Sequence, residues 1–144
     1  MSAEKNRQTV ERVYLEAFNT GKFDGLPEWV APGYVDHEAP PNLLPPGPTG
    51  MGMLMSMYRS IFPDLRFTIE TLIASDDHVI SRIIMNGTQA GPLFGLPPSN
   101  KMVSLRGIDI FRLADGKVTD HWGATNLADA AGLFSQRGDH GQAG

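Results

Sequence analysis

The spacing of the apolar residues changes once along this chain, at Pro63, and that change limits the folds open to it. Before Pro63 they recur at helical intervals; after it they alternate. Helices followed by antiparallel strands is an α+β order. Glu4 to Asn19 carries Val10, Val13, Tyr14, Ala17 and Phe18 on one stripe, keeps Glu11, Arg12 and Glu16 off it, and ends at Thr20-Gly21. Phe23 to Ala31 predicts a short helix burying Leu26, Trp29 and Val30, stopped by Pro32-Gly33 and followed by an extended Tyr34 to Glu38. Strand parity there points Asp36 away from Val35 and His37. The Pro-rich Ala39 to Gly50 excludes regular structure and reads as a lid or a partner contact. Met51 to Phe62 resumes the helical pattern with Met53, Leu54, Met57, Tyr58 and Ile61 inward, either as a malleable pocket wall or as plain core.

Beyond Pro63, Leu65, Phe67, Ile69, Thr71 and Ile73 share one face of a strand. Ser75-Asp76-Asp77 turns, and His78 to Thr88 returns as its partner. Gly91 to Asn100 is a loop with an apolar centre at Phe94 and Leu96. Lys101 to Asn126 then forms a hairpin, whose register decides where its ionisable residues meet. A two-residue Asp115-Gly116 turn places Asp109 and His121 on opposite faces. A three-residue Ala114-Asp115-Gly116 loop pairs them directly, and it is the closure expected here. It gathers Gly107, Asp109, Phe111, Thr119, His121 and Gly123 on one face. Ile108, Ile110, Arg112, Val118, Asp120 and Trp122 fall on the other, with Arg112 diagonal to Asp120. Asn126 to Gln136 predicts a short helix and Arg137 to Gly144 a frayed tail, so residues 1–136 form one domain and 137–144 trail from it.

The 144 residues suffice for one domain with a true core. With 41% hydrophobic and 19% charged residues, neither disorder nor a membrane span is indicated, and the polar start lacks the apolar run of a secretory signal. The absence of Cys excludes disulfides and thiolate chemistry and fits a cytoplasmic setting. A net charge of -4 without charged blocks argues against nucleic acid and membrane as partners and for a small molecule. No Ser stands in a nucleophile elbow, and the four His lack metal-ligand spacing.

Short pieces spread over nearly the whole chain carry a resemblance: Ala17-Phe18-Asn19-Thr20-Gly21, Tyr34-Val35-Asp36-His37, Phe62-Pro63-Asp64, Gly87-Thr88, Phe94-Gly95-Leu96-Pro97-Pro98, Arg112 with Asp115-Gly116-Lys117, and Asp120-His121-Trp122. In order and spacing the chain resembles the SnoaL-like polyketide (ester) cyclases, which share the cone-shaped fold of nuclear transport factor two and ketosteroid isomerase. The resemblance implies a curved antiparallel β-sheet wrapped around N-terminal helices, a cystatin-like α+β barrel, with three packed helices. It also implies a homodimer or higher homo-oligomer, an apolar cavity with polar groups on its wall, and no metal, nucleotide or other cofactor. Aldol-cyclising members place an acid/base Asp two residues after the His of the last strand, where this chain has Gly123. Where those members often carry Asn, it has Asp36.

The ionisable groups expected at one cavity are therefore Tyr14, Asp36, His37, Asp109 and His121, the catalytic candidates. Met53, Met57, Phe94, Leu96, Phe111 and Trp122 are the candidate substrate contacts. Two carboxyls facing one apolar cavity push their pKa values apart, so that one serves as base and one as acid, with Tyr14 or a protonated Asp109 holding an oxyanion. Alternatively Asp109 orients His121, which then is the base. The activity these residues suit is cofactor-independent intramolecular cyclisation of a polyketide-like molecule. A dehydratase or pyran-forming cyclase, an epoxide hydrolase, a double-bond isomerase and a non-catalytic small-molecule binding protein remain alternatives.

Overall fold

The structure, a computed structural model, describes residues 2–93 and 95–127; Phe94, the expected C-terminal helix beyond Leu127 and the tail lie outside them. Helix α1 (Ala3–Arg12) is capped by the Ser2 side chain, which accepts from the Lys5 amide, and runs on into a π-helical stretch, Val13–Phe18. There the Asn19 amide reaches back to the Tyr14 carbonyl, one residue further than an α-helix allows. The stripe read from the sequence is buried throughout. Asn19 then binds the Phe67 backbone from both ends of its amide, at 2.6 and 3.0 Å, and so fixes the helix end to the sheet.

Helix α2 (Leu26–Trp29) gives way at Val30, earlier than expected, to strand β1 (Val30–Asp36). Strand β1 includes Pro32 and Gly33, which a sheet tolerates at its edge. The proline-rich segment is irregular only to Gly47, because Pro48 starts helix α3 (Pro48–Ile61) at a first-turn position where its missing N–H costs nothing. Helix α3 turns Leu54, Tyr58 and Ile61 inward as expected, but its methionines differ from the expected phase. Met51 and Met55 are buried, whereas Met53 and Met57 are about half exposed. The sequence offered Met at 51, 53, 55 and 57, and packing chose the first and third.

Strands β2 (Arg66–Ala74), β3 (His78–Thr88), β4 (Met102–Ala114) and β5 (Lys117–Thr125) complete one sheet of order β1-β5-β4-β3-β2, open between β1 and β2. The fold is the expected α+β arrangement, a curved sheet around N-terminal helices. It is antiparallel except at the edge, where β1 runs parallel to β5. In β2 a bulge between Ile69 and Thr71 reverses the parity, so Leu72 and Ala74 pack inward and Ile73 turns outward. The core lies between the helices and the inner face of the sheet. At its centre the Tyr14 ring sits 5.5–5.9 Å from those of Phe18, Phe67 and Phe111. Burying each such ring is worth roughly 1.5–3 kcal/mol.

The β4–β5 hairpin closes differently from the expected three-residue loop. Asp115 and Gly116 both have positive φ, 52° and 77°, as a two-residue type I′ turn requires. Ala114 pairs with Lys117 and Leu113 with Val118; Thr119 then bulges, its hydroxyl donating to Asp120, and from Arg112 onward the ladder is displaced by one. The turn alone would have separated Asp109 from His121. The bulge restores their common face, with Asp109 opposite Gly123 and His121 opposite Phe111, so the two are diagonal rather than direct neighbours. It also turns Val118 inward, against expectation, and sets Arg112 directly across from Asp120, to which it forms an ion pair at 3.5 Å.

Candidate functional site

Between the helices and the inner face of the sheet lies a cavity of about 230 Å³. Its wall is mostly apolar, with Phe18, Met51, Met55, Phe67, Leu105 and Phe111 among its members. Asp36 reaches it from the end of β1, Asp109 from the middle of β4 and His121 from β5, while Tyr14 rises from the π-helical stretch.

These four make one hydrogen-bonded chain. His121 Nδ1 lies 3.0 Å from Asp36 Oδ1, and Nε2 lies 2.8 Å from Asp109 Oδ1. The Tyr14 hydroxyl donates to Asp109 Oδ2. Because that proton is engaged, Ser81 Oγ, 2.7 Å away and fully buried, is the donor to Tyr14. Ser81 pairs with Asp109 across the β3–β4 ladder. Sequence reading missed it, although strand parity relative to the buried Val79 and Ile83 places it on the inner face.

An imidazole held by two carboxylates donates from both nitrogens, which is the protonated form. Burial pulls His121 down, but the hydrogen bonds and charges of Asp109 and Asp36 outweigh it and hold its pKa at about 9. Burial likewise pushes Asp36 up, and the His121 bond and charge, with the Glu38 amide, bring it net below the usual carboxylate range. The expectation that two carboxyls repel each other's ionisation fails for Asp36 because a cation stands between them. Tyr14 is pushed well up, first by burial and then by Asp109, so its phenol keeps its proton.

Gly123 explains how the contact fits. A Cβ there would stand 2.5 Å from Asp109 Oδ1 and 2.9 Å from His121 Nε2. The carboxylate of Asp109 occupies the space that a side chain at position 123 would take.

Several candidates lie elsewhere. His37 points outward, binds Asp120 Oδ2 at 2.9 Å and stacks on Trp122 with ring centres 4.7 Å apart. Trp122 is therefore on the outer face, not at the cavity. Met53 and Met57 line a shallow groove with Phe23 and Pro27, on the far side of α3. Leu96 is partly exposed and makes its bridge with Leu93, away from the cavity. Of the expected contacts Phe111 lines the cavity, and helix α3 supplies Met51, Leu54, Met55 and Tyr58 instead.

The apolar cavity between the curved sheet and the helices thus carries on its wall a His between two carboxylates. The profile of the SnoaL-like polyketide cyclases matches residues 8–136, and the chain belongs to that family. It is 28% identical over 126 residues to nogalonic acid methyl ester cyclase of Streptomyces nogalater, covering 87% of this chain and 92% of the relative. To aklanonic acid methyl ester cyclase AcmA of Streptomyces galilaeus it is 25% identical over 129 residues, covering 89% and 88%. Among solved structures, TsrD from Streptomyces laurentii superimposes with a TM-score of 0.80 at 28% identity, covering 92% of this chain and 98% of that one.

Proposed function

We propose that the protein closes a ring in a polyketide-like ester by acid/base catalysis, with Asp109 as base and His121 as acid. The observation that carries this reading is the His121 ring held between Asp36 and Asp109 at the wall of an apolar cavity. Asp109 takes a proton from a carbon next to a substrate carbonyl, leaving an enolate. Once neutral, it no longer holds the His121 Nε2–H by charge, and that donor is free to turn to the developing oxyanion. The enolate carbon forms a bond to a second carbonyl carbon, whose oxygen becomes an alkoxide and takes the Nε2 proton. Asp109 then returns its proton to His121. Asp36 keeps the ring oriented throughout and favours its charged form before and after the transfer, and Tyr14 with Ser81 fixes the other oxygen of Asp109. The residues of this chain carry every proton in the sequence, and the setting is cytoplasmic, in keeping with the absence of Cys.

The test is Asp109→Asn assayed on the methyl esters after which the relatives are named. Turnover should fall about 100-fold or more, with product binding retained. Unchanged turnover per folded molecule would show that Asp109 is not the base.

The active form we propose is a homodimer. Ile73, Ile80, Ile110 and Trp122 stand in one cross-strand row on the outer face, and Ile108 lies beside them. Ile73 and Ile108 are more than half exposed, an apolar surface that a second copy of the same face would cover. Light scattering should give twice the monomer mass, and Ile110→Glu should give a monomer.

A further inference from the structure

We propose that His37, on the outer face of the sheet, is the residue that positions Asp36 for His121 on the inner face. The inference rests on the reading of His121 as the acid of the site and deepens it. Strand β1 lies at the sheet edge and has a poor hold on its neighbour β5. Its register slips between Val30 and Val35, where β5 advances only from Val118 to Asp120, and Pro32 and Gly33 fall in that stretch. Pairing resumes for Val35 and Asp36, and the Pro-rich segment begins at Ala39. The end of β1 must nonetheless be held in place, because the Asp36 carboxylate meets His121 Nδ1 at 3.0 Å.

His37 supplies that hold through three contacts. Its amide donates to the His121 carbonyl at 2.9 Å. Its ring lies flat on Trp122, 5° from parallel with centres 4.7 Å apart. Its Nε2 lies 2.9 Å from Asp120 Oδ2, and because a carboxylate only accepts, Nε2–H is the donor. All three partners are consecutive residues of β5. Asp120 is itself fixed, by the Thr119 hydroxyl at 2.7 Å and by Arg112 at 3.5 Å. Asp36 and His37 thus meet His121 and Asp120 as two Asp–His pairs that face opposite ways through the same two strands. Adjacent residues share one planar peptide, so a grip on residue 37 from outside sets where residue 36 points inside. His37 does not line the cavity, which makes it a positioning residue and not a catalytic one.

The experiment follows the His121 ring protons by NMR through a pH titration of wild type, His37→Ala, His37→Gln, Asp36→Asn and the double variant His37→Ala/Asp36→Asn. The side chain of His37 is more than a third exposed, so its loss leaves the core intact. Asp36→Asn should lower the His121 midpoint by about 1 pH unit, half of the rise from 6.5 to about 9. His37→Ala should lower it by about 0.5 to 1 unit, and His37→Gln, whose Nε2 still reaches Asp120 as a donor, by less than about 0.3. The double variant should fall no further than Asp36→Asn, since both changes act through one contact. The sign separates this effect from simple electrostatics, because removing a neighbouring positive charge raises a His pKa. An unmoved or raised midpoint in His37→Ala, a fall in His37→Gln as large as in His37→Ala, or a fall that adds in full to that of Asp36→Asn overturns the inference. So does an Asp36→Asn variant with an unchanged His121 titration, since Asp36 would then have no hold on His121 for His37 to secure. None of these results reads turnover, so the acid/base reading still stands or falls on Asp109→Asn.

Discussion

Raising the pH across the titration of His121 should destabilise this protein in a way its geometry specifies. The imidazolium has a folded pKa of about 9 against 6.5 in the unfolded chain. At 1.36 kcal/mol per pH unit this corresponds to about 3 kcal/mol, and the side chain is only 16% exposed, so solvent screening is small. The folded state binds the proton more tightly. Its contribution is therefore fully present below pH 6.5 and is lost as pH rises through 9. For a domain of this length, that loss lowers Tm by roughly 10 °C. The assay is thermal unfolding followed by circular dichroism at pH steps between 6 and 10, with the His121 ring protons followed by NMR. Asp36→Asn removes one of the two carboxylates and should cut the span to about half, roughly 1.5 kcal/mol. A stability that stays flat from pH 6.5 to 9.5, or an Asp36→Asn variant with the full slope, would show that His121 is not held as a cation.

Two further substitutions probe the same chain of bonds. Tyr14→Phe removes a donor to an ionised carboxylate and strands the Ser81 hydroxyl, so stability should fall by about 1.5–3 kcal/mol in denaturant titrations, with turnover down about 10-fold. Gly123→Ala should leave the sheet intact, since Gly123 does not have positive φ. Its methyl must nonetheless displace the Asp109 carboxylate, so the His121 titration should move down toward 6.5 and turnover should fall about 10-fold or more; an unmoved titration would mean the contact survives the added Cβ.

The helices-then-strands order and the buried stripe of the first helix were legible because each rests on a periodicity that packing reinforces. Parity at Asp36 was legible for the same reason, since a single strand step separates it from Val35 and His37. The hairpin register was not. The Asp115-Gly116 turn and the Thr119 bulge each shift the pairing by one, and nothing in Thr119 announces that it bulges. The face of β4 and β5 was nevertheless read correctly for Asp109, Phe111 and His121, because two unforeseen offsets cancelled in parity. The phase of α3 was hidden by Met at every second position from 51 to 57, which fits either face. Pieces of the family resemblance proved to be ties in the scaffold. Asn19 clips the helix to β2, Asp64 holds the Thr88 amide and hydroxyl at 2.6 and 2.8 Å, and Gly87 leaves room for Phe62. Ser81 went unnoticed because a buried serine leaves no trace in hydropathy.

The π-helical stretch from Val13 to Phe18 has a consequence for how such a site can arise and be lost. One surplus residue in a helical turn lets Tyr14 address Asp109 while Asn19, on the next turn, still meets the Phe67 backbone. Removing a residue between those anchors would rotate everything downstream by about 100° and force the chain to abandon either the phenol or the clip. Substitutions can tune this site gradually, but the first helix gains or surrenders its bond to Asp109 in a single insertion or deletion. Descendants of this lineage that lack the extra residue should therefore have parted with Tyr14 or with Asn19, and not have drifted through intermediates that retain both.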